Sequence, residues 1–191
     1  MEKVCSIKYR TIEKHELGLE LFQDFERHQV VTDCLRKVEG QWIVQKAPFV
    51  DQWSTEDYRF LVKCLTRTLD EGGMVLGGFL EGSLKGFVSV EGKLFGSTNQ
   101  YLDLTSLHVS EDMRGYGIGK TLFHMAACWA KDHGAQKLYI SSHSAIETQK
   151  FYEALGCLDA QEHCQKHVEQ EPYDRQLEFL LLENETDEAD I

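Results

Sequence analysis

Positive charge is scarce in this chain. Lys and Arg number 20 against 32 Asp and Glu, a formal net charge of −12 over 191 residues. Non-specific nucleic-acid binding needs a basic face. Adhesion to an anionic membrane surface needs a polybasic segment. Neither nucleic acid nor membrane is therefore expected as a partner. Long apolar runs are missing too, and none approaches the ~18 residues of a membrane helix. The opening Met-Glu-Lys-Val-Cys-Ser-Ile-Lys has no apolar core of a secretory signal, so a soluble, cytoplasmic protein is expected. Closely spaced cysteines are absent. The six lie at 5, 34, 64, 128, 157 and 164, with no Cys-x-x-Cys. Without an oxidising address, disulfides are not expected. Cys157, His163, Cys164 and His167 are the nearest approach to a ligand set, and they read as surface histidines near a strand turn, so no metal is expected.

What is present describes a globular domain. Apolar residues make up 42% and charged residues 27%, near the average for folded proteins. One domain over 1–182 is expected, as a monomer or homodimer. Residues 183–191 carry five acids and no base, and read as a disordered end.

Periodicity gives the elements. Cys5 to Ile12 reads as a strand, and Leu17, Leu21 and Phe25 at spacing four predict a helix over Glu13 to Phe25. Val30 to Val38 and Trp42 to Val44 flank Glu39-Gly40 as a hairpin, with a short second helix as the alternative, and Pro48 should break any regular element. Ser54-Thr55-Glu56-Asp57 is a capping box opening a helix to about Asp70, stopped by Gly72-Gly73. Met74 to Leu80 and Leu84 to Val90 form a second hairpin. Tyr101 to Val109 is the longest strand candidate. Gly117 to about His133 is an amphipathic helix with Ile118, Leu122, Ala126, Trp129 and Ala130 as its stripe. Leu138-Tyr139-Ile140 is a short strand and Glu147 to Leu155 a helix. Leu158 to Val168 and Gln176 to Leu182 read as closing strands, joined through Pro172. The order is that of a mixed α/β (α+β-like) sheet, not an alternating βα array.

Between the longest strand and its helix lie Gly115, Gly117 and Gly119. Glycines there leave main-chain N–H groups uncovered, and these converge with a helix N-terminus on an anion such as a pyrophosphate. Gly119-Lys120-Thr121 suggests a nucleotide P-loop. That pattern needs a glycine at 114, where the residue is Arg. The dinucleotide fingerprint Gly-x-Gly-x-x-Gly fails as well, because the run is Gly-x-Gly-x-Gly.

The run from Leu107-His108-Val109 through Arg114-Gly115-Tyr116-Gly117-Ile118-Gly119 resembles the acyl-CoA-binding motif of the GCN5-related N-acetyltransferases. That motif is Arg/Gln-x-x-Gly-x-Gly/Ala after a strand ending Leu-x-Val. Phe151-Tyr152-Glu153-Ala154-Leu155-Gly156 is similar to the family's later segment. The resemblance is sharp over about residues 74–157. It implies a central, mostly antiparallel twisted sheet of about six or seven strands with helices on both faces. It also implies acetyl-CoA as cosubstrate and transfer to the amine of a small molecule. A non-catalytic acyl-CoA-sensing module on the same fold is the alternative.

The resemblance assigns roles. Main-chain N–H groups across Arg114, Gly115, Tyr116, Gly117, Ile118, Gly119, Lys120 and Thr121 would hold the cofactor's phosphates, with Arg114 and Lys120 adding charge. The pantetheine arm would lie along Leu107, His108 and Val109 like an added strand, with an N–H near Val109 polarising the thioester carbonyl. Tyr152 matches the family's general acid and also borders the cofactor. The family often has Asn seven residues before this tyrosine. Here that position is Ala145, leaving Ser144 or Thr148 to take the contact. An alkylamine is protonated at neutral pH and needs a base. Asp103 is the first candidate, Glu147 the second and His108 the third. Strand alternation places Asp103 on the face of Leu107 and opposite His108, unless a bulge breaks the register. No cysteine sits where a covalent acyl carrier would, so direct transfer is expected. Phe49, Trp53, Trp42 and Tyr58, and the stretch Tyr173-Asp174-Arg175, are candidates to border the acceptor.

Overall fold

A computed structural model describes residues 6–181, so the acidic stretch at 183–191 lies outside the described residues. The main sheet has seven strands: β1 (Lys8–Thr11), β4 (Met74–Leu80), β5 (Ser83–Val90), β6 (Tyr101–Val109), β7 (Lys137–Ser142), β8 (Leu158–Asp159) and β9 (Arg175–Leu180). Their spatial order is β1-β4-β5-β6-β7-β9-β8, and every pair is antiparallel except β6 with β7. A hairpin of β2 (His28–Val38) and β3 (Gln41–Gln52) forms a separate two-stranded sheet. The helices are α1 (Thr55–Asp70), α2 (Ile118–Asp132), α3 (Ile146–Ala154) and α4 (Gln165–Gln170). This is the mixed, mostly antiparallel arrangement expected, with helices on both faces.

Period-two alternation divides the core. Val88, Val90, Leu102, Leu104, Leu138 and Ile140 pack under the stripe of α2, formed by Ile118, Leu122, Phe123, Ala126 and Ala130. Val75, Phe79 and Phe87 face the other way, onto Leu61 and Leu65 of α1. Ser54 caps α1 through the reciprocal bonds with Asp57 that the sequence predicts.

Three expectations are corrected. Glu13 to Phe25 is not one helix but two 3₁₀ turns, Lys14–Glu16 and Leu19–Phe22, because Leu17 and Gly18 between them are extended. Its apolar residues still reach the α1 cluster, so the spacing reflected burial and not helix. Pro48 does not interrupt β3. It lies where the register slips from Val31↔Phe49 to Asp33↔Lys46, a bulge in which proline's missing N–H is tolerated. Leu158 to Val168 forms only the two-residue β8 and then α4. Glu162 is drawn to Ser97 and Gln100, and the Cys164 N–H donates to the Tyr139 hydroxyl, so the chain leaves the sheet edge.

A bulge also resets β6. Ser89 pairs with Ser106 but Val90 with Leu104, leaving Thr105 unpaired. Leu107 and Val109 therefore join Leu102 and Leu104 on the α2 side, and simple alternation fails at that point. His108 turns to the opposite face, against Phe87 and Trp53.

Candidate active site

β6 and β7 are paired only from Tyr101↔Lys137 to Asp103↔Tyr139. Beyond that both strands continue without each other, β6 to Val109 and β7 to Ser142. The parting opens a cleft of about 840 Å³. Its walls are the end of β6, the glycine loop, the first turn of α2, the end of β7 and one face of α3.

At one end the cleft is lined by the glycine loop and the start of α2. Ser110 donates to Asp112 and accepts the Glu26 N–H at 2.9 Å, turning the chain out of β6. The Ser110 N–H is spent on Lys85 O at 2.9 Å. Alternation then points the Val109 N–H and C=O the other way, toward the cleft, where the carbonyl accepts Arg114 Nε at 3.4 Å. Gly115 and Gly117 have φ of +83° and +79°, and a Cβ at either would meet nothing within 4 Å. Left-handed backbone and open space in front of it are the two features glycine supplies here. Gly117 caps α2 without any side chain, and the first bond of the helix runs from the Thr121 N–H to Gly117 O at 3.0 Å. The N–H groups of Ile118, Gly119 and Lys120 are left as the free donors of the helix start. Gly119 is close-packed, since a Cβ there would lie 3.4 Å from both Phe151 and Val109.

Most sequence-predicted residues line this cleft: Leu107, His108, Val109, Arg114, Gly115, Gly117, Ile118, Gly119, Lys120, Glu147, Thr148 and Tyr152. Tyr116 and Thr121 do not. The Tyr116 side chain is 74% exposed beside the loop. Ser144 is buried away from the cleft, where it accepts a bond from Arg36 while its carbonyl takes the Leu35 N–H at 2.8 Å. Ala145 packs against Val31 and Cys34. This corner seats the hairpin, so of the two substitutes for the family's Asn only Thr148 borders the cleft.

The candidate proton carriers differ in environment. Tyr152 is buried on α3 beside Phe123 and Phe151, and burial pushes its phenol well above the ordinary range, with Cys157 and Asp174 adding to the effect. Burial likewise pushes the Cys157 thiol up to about 12. His108 is pushed down to about 3 by burial, with Arg27 and Arg114 adding, so it is neutral at physiological pH. Asp103 stands at the fork, behind the cleft lining. Its Oδ2 lies 2.6 Å from His167 Nε2, while Oδ1 is buried with no partner among the described residues. That bond holds His167 above the usual histidine range. Glu147, in the first turn of α3, is exposed on the cleft.

Sequence reasoning missed Arg27 just before the hairpin, Gln29 and Val30 of β2, Ser141 and Ser142 of β7 and His143 just after it, all of which line the cleft. Arg27 bonds Asp51 at 2.5 Å and Gln29 at 3.2 Å. The polar run Ser-Ser-His directly after apolar Leu-Tyr-Ile was the one available signal for β7. Among the described residues no group of three or more His, Cys, Asp or Glu is arranged to hold a metal, and no helix is long and apolar enough to cross a membrane.

Comparison with known proteins fits this geometry. No curated protein matches the chain in sequence. Solved structures do match in fold. A Bacillus anthracis str. Ames protein, assigned provisionally as a streptothricin acetyltransferase and bound to acetyl coenzyme A, has a TM-score of 0.65 at 15% identity, over 92% of this chain and 95% of its own. A nourseothricin acetyltransferase has a TM-score of 0.61 at 16% identity, over 91% of this chain and 96% of its own. The PaiA N-acetyltransferase of Thermoplasma acidophilum, in complex with coenzyme A, has a TM-score of 0.58 at 17% identity, over 92% and 99%. The model of the acetyltransferase (GNAT) family matches residues 22–157, a span that contains the glycine loop, the fork and Tyr152. The chain belongs to that acetyltransferase (GNAT) family.

Proposed function

We propose that this protein transfers an acetyl group from acetyl-CoA directly to the primary amine of a small, cationic acceptor. The observation that carries this reading is one continuous cleft that runs from the free N–H groups of α2 past the unpaired edge of β6 to Tyr152. Its volume is that of a small-molecule site.

A −12 protein must hold a polyanionic cosubstrate by local field. The donors of Gly115 to Lys120 and the positive end of α2 supply it, with Arg114 and Lys120 at the rim. The stretch Leu107–Val109, which lacks β7 as a neighbour, offers main-chain groups to the amides of the pantetheine arm, and Thr148 borders the same space. The cleft-directed Val109 N–H is the donor that would stabilise the oxyanion at the thioester carbon.

Tyr152 gives its proton to the departing thiolate. A phenol raised by burial is a poor acid toward a solvated thiolate, yet a thiolate released beside it suffers the same desolvation. Burial acts in the same direction on the Cys157 thiol, which it pushes up to about 12. Glu147 on the cleft and Asp103 at its fork are the carboxylates the sequence offers as the base. Among the described residues no cysteine lines the cleft, which supports direct transfer over an acetyl-cysteine intermediate.

The test is a panel of primary amines with acetyl-CoA, following free CoA and acetylated product together. Equal release of both supports the reading. Stabilisation by acetyl-CoA with no turnover on any amine overturns it in favour of a sensing module.

A further inference from the structure

Behind the acceptor end of the cleft lies a chain of hydrogen bonds whose directions are fixed by its ends. The Cys164 N–H donates to the Tyr139 hydroxyl at 2.9 Å, and that hydroxyl donates to Gln176 Oε1. Gln176 Nε2 donates to Ser141 Oγ at 3.0 Å, and Ser141 Oγ donates to Asp174 Oδ2 at 3.3 Å. The chain begins on a main-chain donor and ends on a carboxylate. Of these side chains Ser141 lines the cleft. Asp174 sits just beyond it, within electrostatic reach of the Tyr152 phenol on α3. A carboxylate and a phenol thus flank the same end of the cleft, and a serine hydroxyl stands between the carboxylate and the cleft.

We infer that Ser141 and Asp174 form the proton-accepting side of the reaction, with Ser141 Oγ meeting the acceptor nitrogen and Asp174 acting through it. This rests on the acetyl-transfer reading above. Two protons leave the nitrogen. The first frees its lone pair, and the second leaves after the N–C bond has formed. The first passes to Ser141 Oγ as the serine's own proton moves to Asp174 Oδ2, and Asp174 returns it to solvent. The second sits on a nitrogen bonded to the tetrahedral carbon, is far more acidic than that of an alkylammonium, and leaves to water. The C–S bond breaks with its electron pair on sulfur, which takes the Tyr152 proton, and solvent restores the phenol. The substrate class is an amine protonated at neutral pH, because only such an amine needs a built-in acceptor.

The groups facing Asp174 fit this task. His143 after β7 and His167 on α4 favour its charged form, while Glu171 past α4 and burial oppose it. Burial is the largest effect and holds Asp174 above the usual aspartate range, closer to where a base works best. Glu147, an exposed side chain, has no such relay among the described residues. Asp103 is engaged by His167, which places that pair as support at the fork.

The experiment compares the wild type with Asp174→Asn and Ser141→Ala on two acceptors, the best alkylamine of the panel and a weakly basic amine of similar size with pKa about 6. Folding is checked by circular dichroism and acetyl-CoA affinity by calorimetry. Asp174→Asn should lower kcat/KM on the alkylamine about a hundredfold. It should leave the weakly basic amine, already neutral, within a few fold, and it should abolish the acid limb of the pH profile. Ser141→Ala should follow in the same direction. Equal losses on both amines, or none, overturn the inference while the transferase reading stands. A wild type that acetylates no amine overturns both. If Asp174→Asn fails to fold, the amine ratio of Ser141→Ala decides alone.

Discussion

Arg114 of the glycine loop donates through Nη2 to the main-chain carbonyl of His28 at 2.6 Å. One guanidinium therefore ties the start of the β2–β3 hairpin to the glycine loop, while its Nε reaches Val109 O.

Arg114→Ala should weaken acetyl-CoA binding about tenfold, roughly 1.4 kcal/mol, and lower stability by about 1 kcal/mol. Arg114→Lys restores the charge but not the two-pronged donor, so it should recover part of the affinity and little of the stability. Calorimetry and thermal melts separate the two effects.

Gly117→Glu places a side chain and a negative charge where φ is +79° and the space in front of the loop is open. The backbone cost is about 1–2 kcal/mol. The larger effect is on binding. Acetyl-CoA should no longer raise the melting temperature, although circular dichroism still reports the native fold. Retained affinity would remove the loop from the cosubstrate site.

Tyr152→Phe keeps the ring packed against Phe123 and Phe151 and removes only the hydroxyl that carries the proton. The expected outcome is a fall in kcat of about a hundredfold with unchanged acetyl-CoA affinity. An unchanged kcat would assign Tyr152 to packing alone.

His108 and His167 give opposite pH signatures in stability. His108 is depressed to about 3, so between the unfolded value near 6.5 and that point the unfolded chain binds the extra proton. Its stabilisation is complete above pH 6.5 and declines as pH falls. Wild type should lose about 2 kcal/mol relative to His108→Gln between pH 6.5 and 5. His167 is raised by Asp103, so its contribution is full below pH 6.5 and fades as pH rises through the folded value. His167→Gln should therefore cost most on the acid side. Denaturant titrations at several pH values read both trends.

The parts of this molecule legible in sequence obey local rules. Tyr101–Val109 shows as a strand from its own alternation, α1 from its capping box, and the loop from glycines at fixed offsets after a strand. What escaped depends on convergence. Ser141, Asp174 and Gln176 meet only because β7 and β9 pair, and Arg27 reaches the cleft only because the hairpin is tied to the loop. The Leu17, Leu21, Phe25 spacing misled for a related reason. Apolar residues four apart satisfy a helix, but two short turns separated by an extended Gly18 bury the same side chains. The β6 bulge at Thr105 moved Leu107 to the face opposite the one simple counting gives.

The parting of β6 from β7 has a mechanical consequence. The sheet is two leaves, β1-β4-β5-β6 and β7-β9-β8, stitched by three residue pairs along one short seam. Beyond the seam each leaf carries a row of peptide groups facing a gap. A molecule that fills the gap with amides would supply the missing rungs, and under the proposed function the cosubstrate is such a temporary strand, closing the sheet. Its binding energy then appears as fold stability, growing with the logarithm of its concentration above Kd.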